Sequence, residues 1–193
     1  MHSTLLQQLE QYHPFNEHEA QMAKRLRHFL ESTDMQNPFE RELAGHAPEI
    51  GHVTGSAWIV NPQYTECVLL HHAKLGKWVQ PGGHCDGDCD VMNVARREAN
   101  EETGLNVIAL QDGIFDVDIH EIPEYWNTPA HLHFDVRYLF QADPQQEIIS
   151  NHESRGVRWL TLDEAAELSN EESVLRMVQK SKQKRSGQKP TSF

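Results

Sequence analysis

Three glutamates at helical spacing are the part of the sequence best suited to chemistry. Glu98, Glu101 and Glu102 are related as i, i+3 and i+4, so a helix projects all three carboxylates together. They fall in the last two turns of that helix, where the helix dipole is already negative. The cluster is explained by a divalent cation, and carboxylate oxygens suit Mg²⁺ or Mn²⁺. A solvated helix face is the alternative, and the glutamates alone do not decide between the two.

The surrounding residues resemble the Nudix box, which is written G-x5-E-x7-R-E-U-x-E-E-x-G-U with U an aliphatic residue. The matching positions are Gly83, Arg97, Glu98, Ala99, Glu101, Glu102, Gly104 and Leu105. Cys89 stands where the pattern has its first glutamate, which in the family supports the loop and the box arginine. The resemblance extends from about Gly51 to the helix after Leu160. It implies an α/β fold, a Nudix-type α/β/α sandwich around a mixed β-sheet.

The resemblance also implies roles for individual residues. It assigns metal binding to Glu98, Glu101 and Glu102, with the Gly82 carbonyl as a candidate further ligand, and the orientation of Glu98 to Arg97. Many family members add a carboxylate, as base or ligand, from the loop before the last strand. Glu153 is the candidate here, and a solvated loop glutamate is equally compatible with its position.

Candidate substrate contacts surround the same segment. Gly82 and Gly83 form the approach to the box, and Lys74 is a candidate phosphate contact, although surface lysines are commoner. His133 shares one face of a long strand with His131 and Asp135, and these residues either line a substrate pocket or form a satisfied polar sheet face. The sequence does not distinguish these alternatives.

The elements that position these residues follow from hydrophobic periodicity. Strands are predicted at 57–60, 67–70, 107–110, 114–119, 132–140 and 157–160. In the fifth of these, Leu132, Phe134 and Val136 alternate with polar residues, which predicts one face on the core. Thr161 and Glu164 form a capping box that opens a helix through about Lys180. Strands interrupted by helices favour α/β layering.

The flanking segments differ in character from this domain. Residues 1–48 are predicted to be a helical extension that packs on the main domain, with Asn16 and Glu19 as a capping pair. Residues 49–179 form the predicted Nudix domain. Residues 180–193, which are basic and lack acidic residues, are expected to be a flexible tail.

Composition limits the partners. The chain has 193 residues, with 29 acidic against 17 basic residues and a formal net charge of −12. This argues against a nucleic-acid polymer and an anionic membrane as partners. Three cysteines, the absence of a long apolar stretch and the absence of a secretory leader favour a cytoplasmic protein. We expect a monomer or homodimer with a small-molecule nucleotide diphosphate as substrate.

Two functions from different classes remain open. The first is a hydrolase, dependent on Mg²⁺ or Mn²⁺, that cleaves the diphosphate linkage of a nucleoside diphosphate joined to another moiety. The second is a weakly active or inactive Nudix domain that binds a nucleotide-like ligand as a sensor or regulatory module, which Cys89 favours. A zinc site on His84, Cys85 and Cys89 falls short of four ligands at tetrahedral spacing.

Overall fold

The structure of the protein is a computed structural model that describes residues 3–32, 37–41, 49–124, 126, 128–152 and 154–187. The elements along these residues are α1 (Ser3–Gln11), α2 (Glu17–Ser32), β1 (Gly51–Val60), β2 (Glu66–His72), β3 (Trp78–Val79), β4 (Gly82–His84), α3 (Val91–Thr103), β5 (Ile108–Ala109), β6 (Asp116–Ile122), β7 (His131–Gln141), β8 (Ser154–Thr161), α4 (Leu162–Leu168) and α5 (Glu172–Gly187). The strands belong to one sheet with the order β3-β2-β1-β7-β5, in which β4 pairs with β1, β6 with β7 and β8 with β2.

The chain divides into two compact units. The first comprises Met1–Ser56, Gly82–Glu98 and Gln111–Tyr138, and the second comprises Ala57–Pro81, Ala99–Leu110 and Leu139–Phe193. The elements β1, β7 and α3 pass from one unit into the other, so each unit contains a part of them.

In the first unit, β6 and β7 form an antiparallel pair that runs from Asp116 opposite Arg137 to Ile122 opposite His131. Helix α2 packs against β6, and the Phe29 ring stacks on Phe134 with 4.0 Å between ring centroids. The predicted N-terminal helices are present, and the apolar side of α2 is buried within this unit.

The start of α2 is fixed by the predicted capping pair. The Glu19 N–H donates a hydrogen bond to Asn16 Oδ1 at 2.9 Å. The Glu19 side chain is fully buried and accepts hydrogen bonds from the Tyr12 hydroxyl, the Phe15 N–H and the Val117 N–H. Glu19 therefore joins α2 to the segment between α1 and α2 and to β6, which the capping pattern alone did not indicate.

In the second unit, β2 pairs with β8 from Glu66 opposite Thr161 to His72 opposite Ser154. The Trp58 indole donates a hydrogen bond to Ser181 Oγ at 2.8 Å, which connects the end of β1 to α5. The capping box is confirmed, since the Glu164 N–H donates to Thr161 Oγ1 and the Thr161 N–H donates to Glu164.

The single helix predicted from Thr161 to about Lys180 is wrong, because the chain leaves the helical conformation at Ser169. That residue has φ −104° and ψ 124°, and its hydroxyl donates to the Trp78 carbonyl at 2.9 Å. A second helix, α5, begins at Glu172 and continues past Lys180 to Gly187, so these residues of the expected flexible tail are helical. The remaining tail residues lie outside the described part, and the boundaries at 48 and 179 stay predictions.

The six predicted strands are present as β1, β2, β5, β6, β7 and β8, although β1 begins earlier than predicted, at Gly51. The strands β3 and β4 were not predicted, because two and three residues are too few to show a period. The predicted core face of β7 is confirmed, since Phe134 and Val136 are fully buried. Asp135 and Arg137, on the opposite face from Phe134, are buried as well.

Among the described residues, no helix combines the length and the apolar character needed to cross a bilayer.

Candidate functional site

Helix α3 carries the glutamates, and hydrogen bonds fix both of its ends. Asp90 Oδ1 accepts from the Asn93 N–H at 3.1 Å, and Asp88 Oδ1 accepts from the Asp90 N–H at 2.9 Å. Gly104 has φ +72° and donates its N–H to the Asn100 carbonyl at 2.8 Å. The helix therefore ends at the glycine.

Arg97 and Glu98 are held together against the strand before the helix. Arg97 Nη2 donates to the His84 carbonyl at 3.1 Å and to Glu98 Oε1 at 3.0 Å. The Glu98 side chain is 16% exposed. A Cβ atom at Gly83 would lie 2.5 Å from Glu98 Cδ, so β4 and this carboxylate are in direct contact. Arg97 thus fixes the Glu98 carboxylate in a position that only glycine at residue 83 leaves free.

A residue with a side chain does not fit at position 82 of β4, because the neighbouring strand β1 lies too close. Gly82 pairs with Ser56 of β1, and a Cβ atom at residue 82 would lie 2.1 Å from Ser56 Oγ. Ser56 Oγ in turn donates to Asp135 Oδ1 at 2.7 Å. The two adjacent glycines therefore meet different neighbours, one a strand and the other the glutamate of α3.

The other two glutamates of the box differ in exposure. Glu101 is exposed, whereas Glu102 is 3% exposed. Burying a carboxylate is costly unless hydrogen bonds or opposite charge compensate for the lost hydration. Glu98 and Glu102 therefore do not have the environment of a solvated helix face, which was the alternative interpretation of this cluster.

The cysteines of the loop lie in different environments. Cys85 is buried, and burial raises the pKa of its thiol, followed by the effect of the Asp88 charge. Cys89, the residue that replaces the box glutamate, is exposed and free. This contrast gives no support to a zinc site shared by the two thiols.

Two of the remaining candidate site residues, Lys74 and Glu153, do not belong to α3 or β4. Lys74 is exposed in the turn after β2, where its N–H donates to His72 Nδ1 at 3.3 Å. Its neighbour Lys77 forms an exposed ion pair with Glu171 at 2.7 Å. Glu153 lies outside the described residues. The assignments of Lys74 as a phosphate contact and of Glu153 as a base stay predictions.

His133 lies in a cluster of histidines within the first unit. The other members are His52, His84, His120 and His131. The His133 ring lies 4.7 Å from the His52 ring and 5.2 Å from the His84 ring, centroid to centroid. The sequence indicated His133 and His131 as candidates but not His52, which is separated from them by about eighty residues. The alternation His52-x-Thr54-x-Ser56 at the start of β1 is the pattern from which a second polar strand face could have been predicted.

The electrostatics of this cluster keep its central rings neutral. Burial is the largest cause that lowers the pKa of His52 to about 4, and the neighbouring His84 and His131 rings are the next causes. Burial also lowers the pKa of His133 to about 2, with His120 the next cause. Near neutral pH both rings are therefore uncharged, and each has one nitrogen with a free lone pair.

The polar face of β7 that contains His133 also contains a buried ion-pair network around Arg137. Arg137 donates from Nε to Asp135 at 2.7 Å, from Nη1 to Asp116 at 3.1 Å and from Nη2 to Asp118 at 3.3 Å. Burial alone would lower the pKa of Arg137, but the three aspartates together raise it above its usual value. This part of the face is a satisfied polar layer.

The glycine of β4 that contacts the Glu98 carboxylate of α3 is Gly83, the first position of the box. The family model of the NUDIX domain matches residues 52–180, so the chain belongs to the NUDIX family. None of the curated proteins matches the chain.

Solved structures show the same fold. An Ap4A hydrolase from C. elegans superimposes with a TM-score of 0.57 at 18% identity, covering 70% of this chain and 98% of that one. A NUDIX-family hydrolase from Clostridium perfringens gives 0.51 at 24% identity, covering 67% and 95%. RenU, a Nudix hydrolase from M. smegmatis, gives 0.51 at 17% identity, covering 74% and 90%. At these identities the similarity concerns the fold.

The predicted family and fold class, an α/β sandwich around a mixed β-sheet with N-terminal helices, are therefore confirmed. The predicted enzyme class, a Nudix hydrolase, is confirmed with them.

Proposed function

We propose that the protein is a metal-dependent hydrolase that cleaves the diphosphate linkage of a nucleoside diphosphate joined to another moiety. The main support for this proposal is the position of the Glu98 carboxylate, which Arg97 holds against Gly83. A carboxylate fixed in this way, on the same helix as two more, is prepared to bind a cation before substrate arrives.

The donor set fits the divalent cation that the family implies. Glu98, Glu101 and Glu102 supply hard oxygen ligands for Mg²⁺ or Mn²⁺, and the Gly82 carbonyl is a candidate further ligand. Bound there, the ion would neutralise the diphosphate and lower the pKa of a coordinated water. Hydrolysis adds that water across one P–O–P bond and releases two phosphate-bearing products.

The chain's own residues complete the proposal. Arg97 positions Glu98 through the hydrogen bond at 3.0 Å. Gly82 and Gly83 contribute to substrate binding through their backbone, since their side-chain positions are taken by Ser56 and Glu98. His133 contributes a neutral ring to substrate binding, Lys74 a phosphate contact, and Glu153 the general base or an additional ligand.

The test is a screen of nucleoside triphosphates, nucleotide sugars, dinucleotides and dinucleoside polyphosphates with Mg²⁺ or Mn²⁺. Glu102→Gln keeps the size of the side chain and removes its charge. Glu167→Gln is the matched control, since Glu167 is an exposed helical glutamate in α4. We expect at least one compound to turn over at least about 100-fold faster with the native protein and Glu167→Gln than with Glu102→Gln.

The alternative function is a ligand-binding Nudix domain without turnover, and the exposed Cys89 is the observation that favours it. Calorimetric titration of the same compounds distinguishes the two. Tight binding without turnover would support the sensor, and equal rates for the native protein and Glu102→Gln would overturn the hydrolase.

A small-molecule partner agrees with the charge of the chain. With a net charge of −12 the surface disfavours a nucleic-acid polymer, whereas bound cations reverse the sign locally. A cytoplasmic location and a monomeric or homodimeric state complete the proposal.

A further inference from the structure

Three imidazoles from two strands of the first unit converge on one point. His52 comes from β1, and His131 and His133 come from β7. One ring nitrogen from each lies within 4.8 Å of the corresponding nitrogens of the other two. Spacings of this size allow three nitrogens to surround a single ion after small side-chain rotations, since zinc–nitrogen bonds are about 2.0–2.1 Å long.

His52 is the central member, and its environment is unusual for a structural histidine. It is 3% exposed, and within the described part of the chain neither of its ring nitrogens has a hydrogen-bond partner. Buried polar nitrogens normally find a partner, because losing hydration without replacement is costly. A metal ion supplies that missing partner for one nitrogen.

His131 is oriented by a hydrogen bond of the kind seen for metal-bound histidines. Its Nδ1 lies 2.9 Å from the Pro129 carbonyl oxygen. A carbonyl can only accept, so Nδ1 carries the proton and the Nε2 of the neutral ring keeps its lone pair. Histidine ligands usually donate their second N–H to a carbonyl or carboxylate in this manner.

We propose that His52, His131 and His133 form a three-histidine site for a divalent transition-metal ion, of which Zn²⁺ is the probe. Imidazole nitrogens favour zinc and its neighbours over Mg²⁺. Three protein ligands leave a fourth position of a tetrahedral site open to water or another ligand. The site uses none of the box glutamates, so its metal binding is tested separately from the proposed hydrolase activity. With the ion bound, His133 would reach a substrate only through that open position.

The test is calorimetric titration of tag-free, chelator-treated protein with Zn²⁺, repeated with Co²⁺ while recording its visible absorption spectrum. His52→Phe replaces the unpartnered ring with an apolar one of similar size. His28→Phe is the matched control, since His28 is an exposed histidine of α2. His131→Gln provides a second ligand variant in case His52→Phe does not fold, and Glu102→Gln reports binding at the glutamates.

We expect one Zn²⁺ per chain at this site, with affinity lowered at least about 100-fold in His52→Phe and His131→Gln and unchanged in His28→Phe and Glu102→Gln. The Co²⁺ complex should show the intense visible absorption of a tetrahedral site. This absorption should be lost in His52→Phe and His131→Gln. Without metal, His52→Phe should melt at the same temperature as the native protein or higher.

The proposal would be overturned by either of two outcomes. One is that neither ion binds. The other is that Zn²⁺ binding persists in both histidine variants or is lost in Glu102→Gln instead. Loss in Glu102→Gln would place the ion at the glutamates.

Discussion

The Glu98 carboxylate occupies the space that a side chain at Gly83 would fill. A Cβ atom at residue 83 would lie 2.5 Å from both Glu98 Cδ and Oε2. The glycine of the box therefore has a positional role in this chain: it leaves room for the glutamate that Arg97 orients.

Replacing this glycine should affect catalysis more than stability. In Gly83→Ala the methyl group displaces the Glu98 carboxylate, which is the end of a flexible side chain and can move at little cost. We expect kcat to fall at least about tenfold, because ligands misplaced by even 1 Å lose much of their effect. The melting temperature should change little.

Gly156→Ala is the matched control for this experiment. Gly156 lies in β8 and nothing approaches within 4 Å of the position its Cβ would take. Its activity should equal that of the native protein. Full activity of Gly83→Ala would show that the Glu98 position is not critical.

Arg97→Lys tests whether the arginine acts by positioning. Arg97 Nη2 reaches both the His84 carbonyl and Glu98, and an ammonium on a flexible stem does not reproduce the planar guanidinium. We expect kcat to fall about tenfold or more with KM changed less than threefold, since the substrate contacts remain. Arg185→Lys, on the last turn of α5, should behave like the native protein. A rise in KM with unchanged kcat would instead assign Arg97 to substrate binding.

The sequence predicted the structural features that depend on residues close together along the chain. The helix with Glu98 and the capping box at Thr161 both depend on neighbours within a few residues. The break at Ser169 was missed because it depends on a hydrogen bond to Trp78, about ninety residues away.

The histidine cluster was missed for the same physical reason. His52 and His133 meet only because β1 and β7 belong to one sheet, and no local pattern records that pairing. Alternation in β7 predicted a polar face, but it did not predict that Arg137 would be buried. That burial requires three aspartates, two of which come from β6.

Cys89→Glu restores the glutamate of the box. Cys89 is exposed, so a larger charged side chain can be accommodated without a steric cost. We expect turnover to be preserved or raised, because the family glutamate supports the loop and the box arginine. Cys89→Ser should match the native protein and serves as the control for loss of the thiol. A sharp decrease in Cys89→Glu would give the cysteine a role of its own.

The capping box makes a pH-dependent contribution to α4. Hydrogen bonds from the Thr161 hydroxyl and then from the Thr161 N–H lower the pKa of Glu164. A lowered carboxyl pKa stabilises the folded state above the pKa of the unfolded chain, and this contribution is lost as pH falls through the folded value. In Thr161→Ala we therefore expect the pKa of Glu164 to rise and the loss in melting temperature to shrink as the solution is acidified below about pH 4.

Measurement of the carboxyl pKa by NMR checks this directly. Lys182→Met is the control, because Lys182 lowers the pKa of the neighbouring Asp163 rather than that of Glu164. An unchanged Glu164 pKa in Thr161→Ala would contradict the capping argument.

Arg137→Met tests the buried ion-pair network on β7. The variant leaves Asp116 and Asp135, both almost fully buried, without their shared cation. Breaking a buried pair from one side costs about 3–5 kcal/mol of unfolding free energy. The deficit should decrease as pH falls, because protonation removes the negative charges that the lost guanidinium leaves uncompensated. Denaturant unfolding at several pH values measures both effects, with Arg155→Met on the exposed side of β8 as control. A cost below about 1 kcal/mol, or one independent of pH, would show that the aspartates do not depend on Arg137.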